Sequence, residues 1–331
     1  MRILVTGGSG FLGSHLARAL ADKGHEVRVF GRRPCTLQNI KSFTGDITDE
    51  AALAPAIEGC QAVFHTASKV GMGADKDEFF RVNVLGTRAL VKRCRAARVQ
   101  AIVHTSTPSV VFKMGGFLNA DESVPYSSKF YNAYAATKAQ AEKEILAQAD
   151  EALKICALRP HLIFGKGDPH LLPQVVALAR AGKLRIIGNG ETLVDITHID
   201  NAVAAHLLAL DALLNGRANA KAYFISQGKP VKLWPWLNHA LEKVGIPPVT
   251  KRVPYPLAYT LGALCEPLFK NKKAPPMTRF TAANLAHNHT FNISAARHDL
   301  AYTPLDNTEQ GLNEWAESFL RKEEEEREKR K

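Results

Sequence analysis

Short apolar runs alternate along the chain with longer stretches whose apolar residues recur at helical spacing. Ile3, Leu4 and Val5 form the first run. From Phe11 onward, Leu12, Leu16 and Leu20 fall on one face of a helix. "DKGHE" breaks that pattern, and "EVRVF" resumes as an alternating strand. Further strands are expected within residues 61–68, 101–107 and 154–160, with helical patterns between them, as in 80–98. Repeated alternation of this kind predicts an α/β fold with a parallel sheet wound on both faces and ligands at the carboxyl ends of its strands. Residues 1–165 are expected to form mainly the sheet domain. Residues 166–331 are expected to form mainly a smaller C-terminal lobe, interleaved with the first because 185–225 should contribute to the sheet.

The turn between the first strand and the first helix reads Gly7-x-x-Gly10-x-x-Gly13. Glycines there let backbone approach a pyrophosphate, whose charge meets the N–H groups of the helix N-terminus. Flanked by a strand and a helix, the glycines predict a dinucleotide site rather than an isolated triplet. A carboxylate closing the second strand would accept the ribose hydroxyls of NAD. Gly31 stands there instead, followed by Arg32 and Arg33. Guanidinium pairs with the 2′-phosphate that a carboxylate would repel, so the expected cofactor is NADP(H).

In "YNAYAATKAQAE", residues 131–142, alanines favour a helix and neither Gly nor Pro interrupts it. Tyr134 and Lys138 are then one turn apart on a shared face. Such a pair arises by chance on many helices, and only a neighbouring cofactor gives it chemical meaning.

Composition removes other classes. The chain has 331 residues and a formal charge of +11. Its Lys and Arg are dispersed and no aromatic-basic motif accompanies them, so an anionic cofactor or substrate is expected rather than nucleic acid. Cys35, Cys60, Cys94, Cys156 and Cys265 are scattered, which suggests neither a disulfide framework nor a zinc site. His65, His104, His161 and His198 lack metal-ligand spacing, and no metal is expected. No apolar stretch reaches the length of a membrane span, and the N-terminal run is too short for a secretory core. A cytoplasmic protein is expected. Asp200 and Asn201 are expected to cap the helix that begins there, and "RKEEEEREKRK" to be a frayed helix end.

These motifs together resemble the extended short-chain dehydrogenase/reductases over nearly the whole chain. The resemblance is carried by "TGGSGFLG", "GDITD", "VFHTAS", "NVLGT", "HTSTPSVVF", "YAATK", "LRPHLIFGKGD", "DITHIDNAVAAH" and "ISAARHDLAYTP". It implies a Rossmann-type sheet and assigns catalysis to Tyr134, Lys138 and Thr107, with Ser106 as the alternative hydroxyl. Tyr126 and Tyr131 lack a lysine four residues on. It places the cofactor against Gly7, Gly10, Phe11, Leu12, Gly13, Arg32, Arg33, Asp46, Ile47, Thr66, Ala67, Asn83, Tyr134, Lys138 and Pro160. A ketone oxygen would sit between the Tyr134 and Thr107 hydroxyls. Bringing the phenol from a pKa near ~10 toward ~7 takes about 4 kcal/mol, for which the Lys138 ammonium and a cationic nicotinamide are the expected sources. Homodimers through helices near 77–97 and 131–149 are the family habit.

The second lobe is apolar in 170–182, 233–237 and 255–269. Nucleotide-sugar enzymes of the same fold need a polar lobe, whereas this one suits a lipid-like substrate. The segments "TSTPSVV", "LRPHLIFGKGDPHLLPQ", "LVDITHIDNA" and "KAYFISQGKP" resemble the 3β-hydroxysteroid dehydrogenase-like branch, and most of all its bacterial 2-alkyl-3-oxoalkanoate reductases of long-chain olefin biosynthesis. That implies reduction of a long-chain β-keto acid, its carboxylate met by a basic residue such as Lys113. The alternatives are a 3β-hydroxysteroid or sterol-4-carboxylate dehydrogenase working oxidatively, and a non-catalytic NADP sensor. Residues 255–273 read as a core or dimer helix, or as a contact with a membrane surface or partner enzyme.

Overall fold

Ile3, Leu4 and Val5 are wholly inaccessible, as are Ala62 and Phe64. Strands apolar on both faces need helices on both sides. The computed structural model describes residues 1–71, 75–269 and 275–329. Its central sheet has seven parallel strands: β1 (Arg2–Thr6), β2 (Glu26–Gly31), β3 (Lys41–Thr44), β4 (Ala62–His65), β5 (Ala101–Thr105), β6 (Lys154–Pro160) and β7 (Lys221–Ile225). They lie in the order β3-β2-β1-β4-β5-β6-β7. The winding reverses at β1, so loops leaving β1 and β4 diverge and open a crevice at their carboxyl ends.

Successive strand residues serve opposite cores. Ile3, Val5, Phe64, Val103 and Leu158 pack beneath helices α1 (Phe11–Asp22) and, far along the chain, Ile199–Leu214. Leu4, Val63, Ile102 and Ile155 point the other way, against residues of α2 (Gly86–Ala96) and α3 (Ala133–Leu146). A π-turn over Arg81–Leu85 precedes α2. The Ile199–Leu214 helix is α4.

The second lobe has its own core, including Phe164, Leu172, Trp234, Trp236 and Trp315. Its small sheet runs Val231–Lys232, Leu193–Val194, His289–Phe291, Phe117–Ala120. Residues 117–120 therefore leave the first half of the chain to pair with 289–291. Helices α5 (Tyr255–Leu268), α6 (Arg279–Ala286) and α7 (Thr308–Glu328) complete the lobe.

Three local expectations change. α4 is capped by His198, whose ring accepts from the Asp200 N–H, and not by Asp200 or Asn201. Asn201 instead ties the loop before α7, through the N–H and carbonyl of Leu305. The charged tail continues as regular helix to Glu328. α5 is not a core helix, since Ala258 and Gly262 are its only buried residues. Residues 270–273, the basic end of the 255–273 contact segment, lie outside the described residues.

Candidate active site

The crevice beside β1 is built from backbone. Gly7 has φ +72° and its N–H donates to the Phe30 carbonyl at 2.7 Å. A Cβ on Gly13 would come within 2.3 Å of the Gly7 carbonyl oxygen, so the helix meets the turn only without side chains. α1 starts at Gly10 with no side-chain cap and no acid in its first turn. Its N–H groups are thus left for an anion. Thr66 latches the loop after β4 onto β1 through the Thr6 carbonyl, 2.7 Å away.

A cavity of about 380 Å³ fills the crevice and brings together Gly7, Gly10, Arg32, Arg33, Asp46, Ile47, Thr66 and Ala67. Arg32 and Arg33 are exposed and form no ion pair among the described residues, unlike Arg28, whose guanidinium lies 3.7 Å from the Glu26 carboxylate. Burial pushes the Asp46 carboxyl up, but hydrogen bonds from Thr48 and the Arg81 guanidinium outweigh it and hold the pKa at about 2. Asp46 is therefore a fixed anion whose acceptors are already engaged. A cleft lined by an uncapped helix N-terminus and by guanidinium groups with no ion-pair partner among the described residues fits a dinucleotide phosphate. Ser9, Ser68 and Lys69 also line it, and sequence reading missed them. Their only sequence signal is adjacency to Gly10 and Ala67.

Not all expected cofactor residues face that cavity. Leu12 is in the core. Phe11 packs edge-on against His15, and Pro160 closes β6. Asn83 is a strut: its amide oxygen accepts from the Lys69 N–H at 2.7 Å, and its amide nitrogen donates to the Thr137 hydroxyl at 3.0 Å. It thereby couples the cofactor loop to α3 one residue before Lys138.

The hydroxyl pair forms where α3 begins. Asn132 caps the helix by accepting from the Ala135 N–H at 2.7 Å, which sets Tyr134 in the first turn. Tyr134 is partly accessible, and the Thr107 hydroxyl is near enough to act on its phenol. Thr107 is the cap of a 3₁₀ turn, Pro108–Val111, which fixes its side chain near the end of β5. Ser106 is buried with no partner for its hydroxyl. Burial raises the Tyr134 pKa, and the Thr107 hydroxyl offsets this only in part.

Lys138 is 2% exposed. Its ammonium donates to the Thr105 carbonyl at 2.5 Å and lies 3.4 Å from His104 Nε2. Burial brings its pKa down to about 8, against the opposing pull of Glu142. The Lys138 ammonium is turned toward β5, and only burial and Thr107 act on the Tyr134 phenol.

The histidines are mostly structural. The Thr87 hydroxyl donates to the Asn83 carbonyl at 2.7 Å, so it accepts from His65 Nε2 at 2.9 Å, and His65 Nδ1 accepts from Thr6. His161 and His289 bond one another at 2.6 Å, beside a small cavity that Lys113 also lines. Only His104, buried with Nδ1 unpartnered, touches Lys138. Among the described residues no group of three or more His, Cys, Asp or Glu is placed to hold a metal.

Residues 4–257 match the 3-beta hydroxysteroid dehydrogenase/isomerase family. A 2-alkyl-3-oxoalkanoate reductase of Stenotrophomonas maltophilia is 43% identical over 94% of this chain and 97% of its own. A mouse sterol-4-alpha-carboxylate 3-dehydrogenase (decarboxylating) is 34% identical over 95% of this chain and 90% of its own. Among solved structures, MoeE5 in complex with UDP-glucose and NAD superposes with a TM-score of 0.74 at 25% identity, over 97% of this chain and 99% of its own.

Proposed function

This chain belongs to the 3-beta hydroxysteroid dehydrogenase/isomerase family, extended short-chain NAD(P)-dependent oxidoreductases, and from that membership we propose that it reduces a long-chain 2-alkyl-3-oxoalkanoate to the 3-hydroxy acid with NADPH. The observation that carries the substrate class is the 43% identity, end to end, with a protein of that activity. The names of both relatives describe redox chemistry at a carbon β to a carboxylate. A β-oxo acid is therefore the shared element, and the alkyl chains distinguish this reading from the sterol one. Arg32 and Arg33, without carboxylate partners among the described residues, support NADPH over NADH.

When bound in the cleft, NADPH would supply a hydride to the carbonyl carbon. Gly7, Gly10 and the α1 N-terminus would hold its pyrophosphate, and Arg32 and Arg33 its 2′-phosphate. Thr107 and Tyr134 receive the ketone oxygen, where negative charge develops. Tyr134, its pKa raised by burial, is protonated at neutral pH and gives its proton to that oxygen. Lys138 would stabilise the resulting phenolate and hold the nicotinamide ribose, for which it would turn from Thr105. The same reading carries a cytoplasmic homodimer through the faces near 77–97 and 131–149, where Phe80 and Leu85 are exposed.

Turnover is measured with a synthetic 2-alkyl-3-oxoalkanoate, its methyl ester and a 3-ketosteroid, each with NADPH and NADH. The acid with NADPH should be the fastest combination. A steroid turned over while the acid is not would move the enzyme to the sterol branch, and equal rates with NADH would remove the 2′-phosphate reading.

A further inference from the structure

The chain just past Thr107 lines a second cavity, far smaller than the cofactor crevice. It measures about 30 Å³ and is formed by the 3₁₀ turn and Lys113, by His161 after β6, and by α6 and the strand His289–Phe291 of the second lobe. Ser109 links it to the hydroxyl pair. The Thr107 hydroxyl donates to the Ser109 hydroxyl at 3.3 Å, and the Ser109 N–H donates back to Thr107 Oγ1 at 3.3 Å. A group that enters this cavity while a ketone oxygen rests on Thr107 must lie only a few bonds from that ketone. In a β-oxo acid, two C–C bonds of about 1.5 Å each separate the ketone carbon from the carboxylate carbon. A cavity of this volume holds roughly two water-sized atoms. That matches the two oxygens of a carboxylate and excludes an alkyl branch.

The lining has the charge for that group. Lys113 is exposed and forms no ion pair among the described residues. No Asp or Glu lines the cavity, and Phe112, Phe117 and Phe291 supply apolar walls that leave the ammonium less screened. The two histidines add no charge. His289 Nε2 donates to the Asn284 carbonyl at 2.7 Å, so its Nδ1 accepts from His161 Nε2 at 2.6 Å. Burial lowers the pKa of His289 to about 4 and holds His161 well below the usual range. Both ring N–H groups of this neutral pair are spent on the relay, and none is left for an anion. The pair instead fixes the far wall by joining the end of β6 to the second lobe. The donors that remain are the Ser109 hydroxyl and the Lys113 ammonium.

We propose that Ser109 and Lys113 form a carboxylate subsite, which anchors the acid group of the substrate while its ketone lies on Thr107 and Tyr134. The subsite rests on the β-oxo acid reading and orients that acid toward α6. Because β-oxo acids lose carbon dioxide on standing, the probes are the reduced product, a 2-alkyl-3-hydroxyalkanoate, and its methyl ester. Dissociation constants are measured for both with the NADP⁺-loaded native chain and its variants. The native chain should bind the acid at least about tenfold more tightly than the ester. Lys113→Met should remove that preference by weakening the acid about tenfold or more while the ester stays within about twofold, and Lys113→Arg should restore most of it. Ser109→Ala should weaken the acid less than Lys113→Met does, since it removes a neutral donor. Unchanged NADPH affinity reports that each variant is folded. Equal native affinity for acid and ester, or an equal loss of both in Lys113→Met, would overturn the subsite, and turnover of the acid would then leave the reductase reading standing. Acid-selective binding that depends on Lys113, without any oxidation of the acid by NADP⁺, would retain the subsite and remove the reductase reading.

Discussion

At Tyr134 burial and the Thr107 hydroxyl act in opposite directions, and burial wins. A reductase needs this outcome, because the phenol must still hold its proton when hydride arrives. Lys138 titrates near working pH. Burial lowers its pKa to about 8, so it is cationic below that pH and neutral above it. If its charge holds the nicotinamide ribose, NADPH affinity should weaken as pH rises through about 8. Titration of cofactor fluorescence at stepped pH checks this, and Lys138→Met should flatten the profile. An unchanged affinity up to about pH 10, the range of an ordinary lysine, would remove Lys138 from cofactor binding. Tyr134 and Lys138 were legible as a pair because a helix places residues four apart on one face. The turn of Lys138 toward Thr105 was not, because β5 lies more than thirty residues away in the chain.

α3 is bolted to the sheet by a buried ion pair. Glu142, one turn beyond Lys138, meets Arg159 of β6 at 2.5 Å, with both side chains at most 4% exposed. The Tyr126 hydroxyl donates to the same carboxylate at 2.8 Å. Glu142→Ala strands a guanidinium in the core and should cost about 3–5 kcal/mol by denaturant unfolding. Glu142→Ala/Arg159→Met should recover most of that loss, since it removes both charges. A cost below about 1 kcal/mol for the single change would mean that the pair is solvated. The glycine turn and the strand–helix alternation could be read from spacing because both are local. The outward stripe of α5 could not. Leu257 and Ala258 are equally apolar in sequence, and only the approach of Thr278 and Arg279 to Gly262 decides which face is covered. The pairing of 117–120 with 289–291 was hidden for the same reason.

Across the molecule, buried neutral histidines link the sheet to its surroundings. His65 joins β1 and β4 to the strut at Asn83, and His206 of α4 bonds Thr105 at 2.8 Å. Burial lowers the pKa of His65 to about 3 and of His206 to about 4, and holds His104 well below the usual range. In the unfolded chain these rings take up protons near pH ~6.5. Stability is therefore complete above that pH and falls as pH drops from about 6.5 toward 4, by up to about 1.4 kcal/mol per ring per pH unit. Thermal unfolding across this window should show the decline, and His206→Gln should make it shallower. A melting temperature flat down to pH about 4 would contradict the buried neutral assignment. The most direct test follows NADPH oxidation with a long-chain 2-alkyl-3-oxoalkanoate for the native chain and Tyr134→Phe. Substrate-dependent turnover that drops roughly a hundred- to ten-thousand-fold in the variant, with NADPH binding intact, is the predicted result. Turnover that survives the substitution, or none with this acid in the native chain, would contradict it.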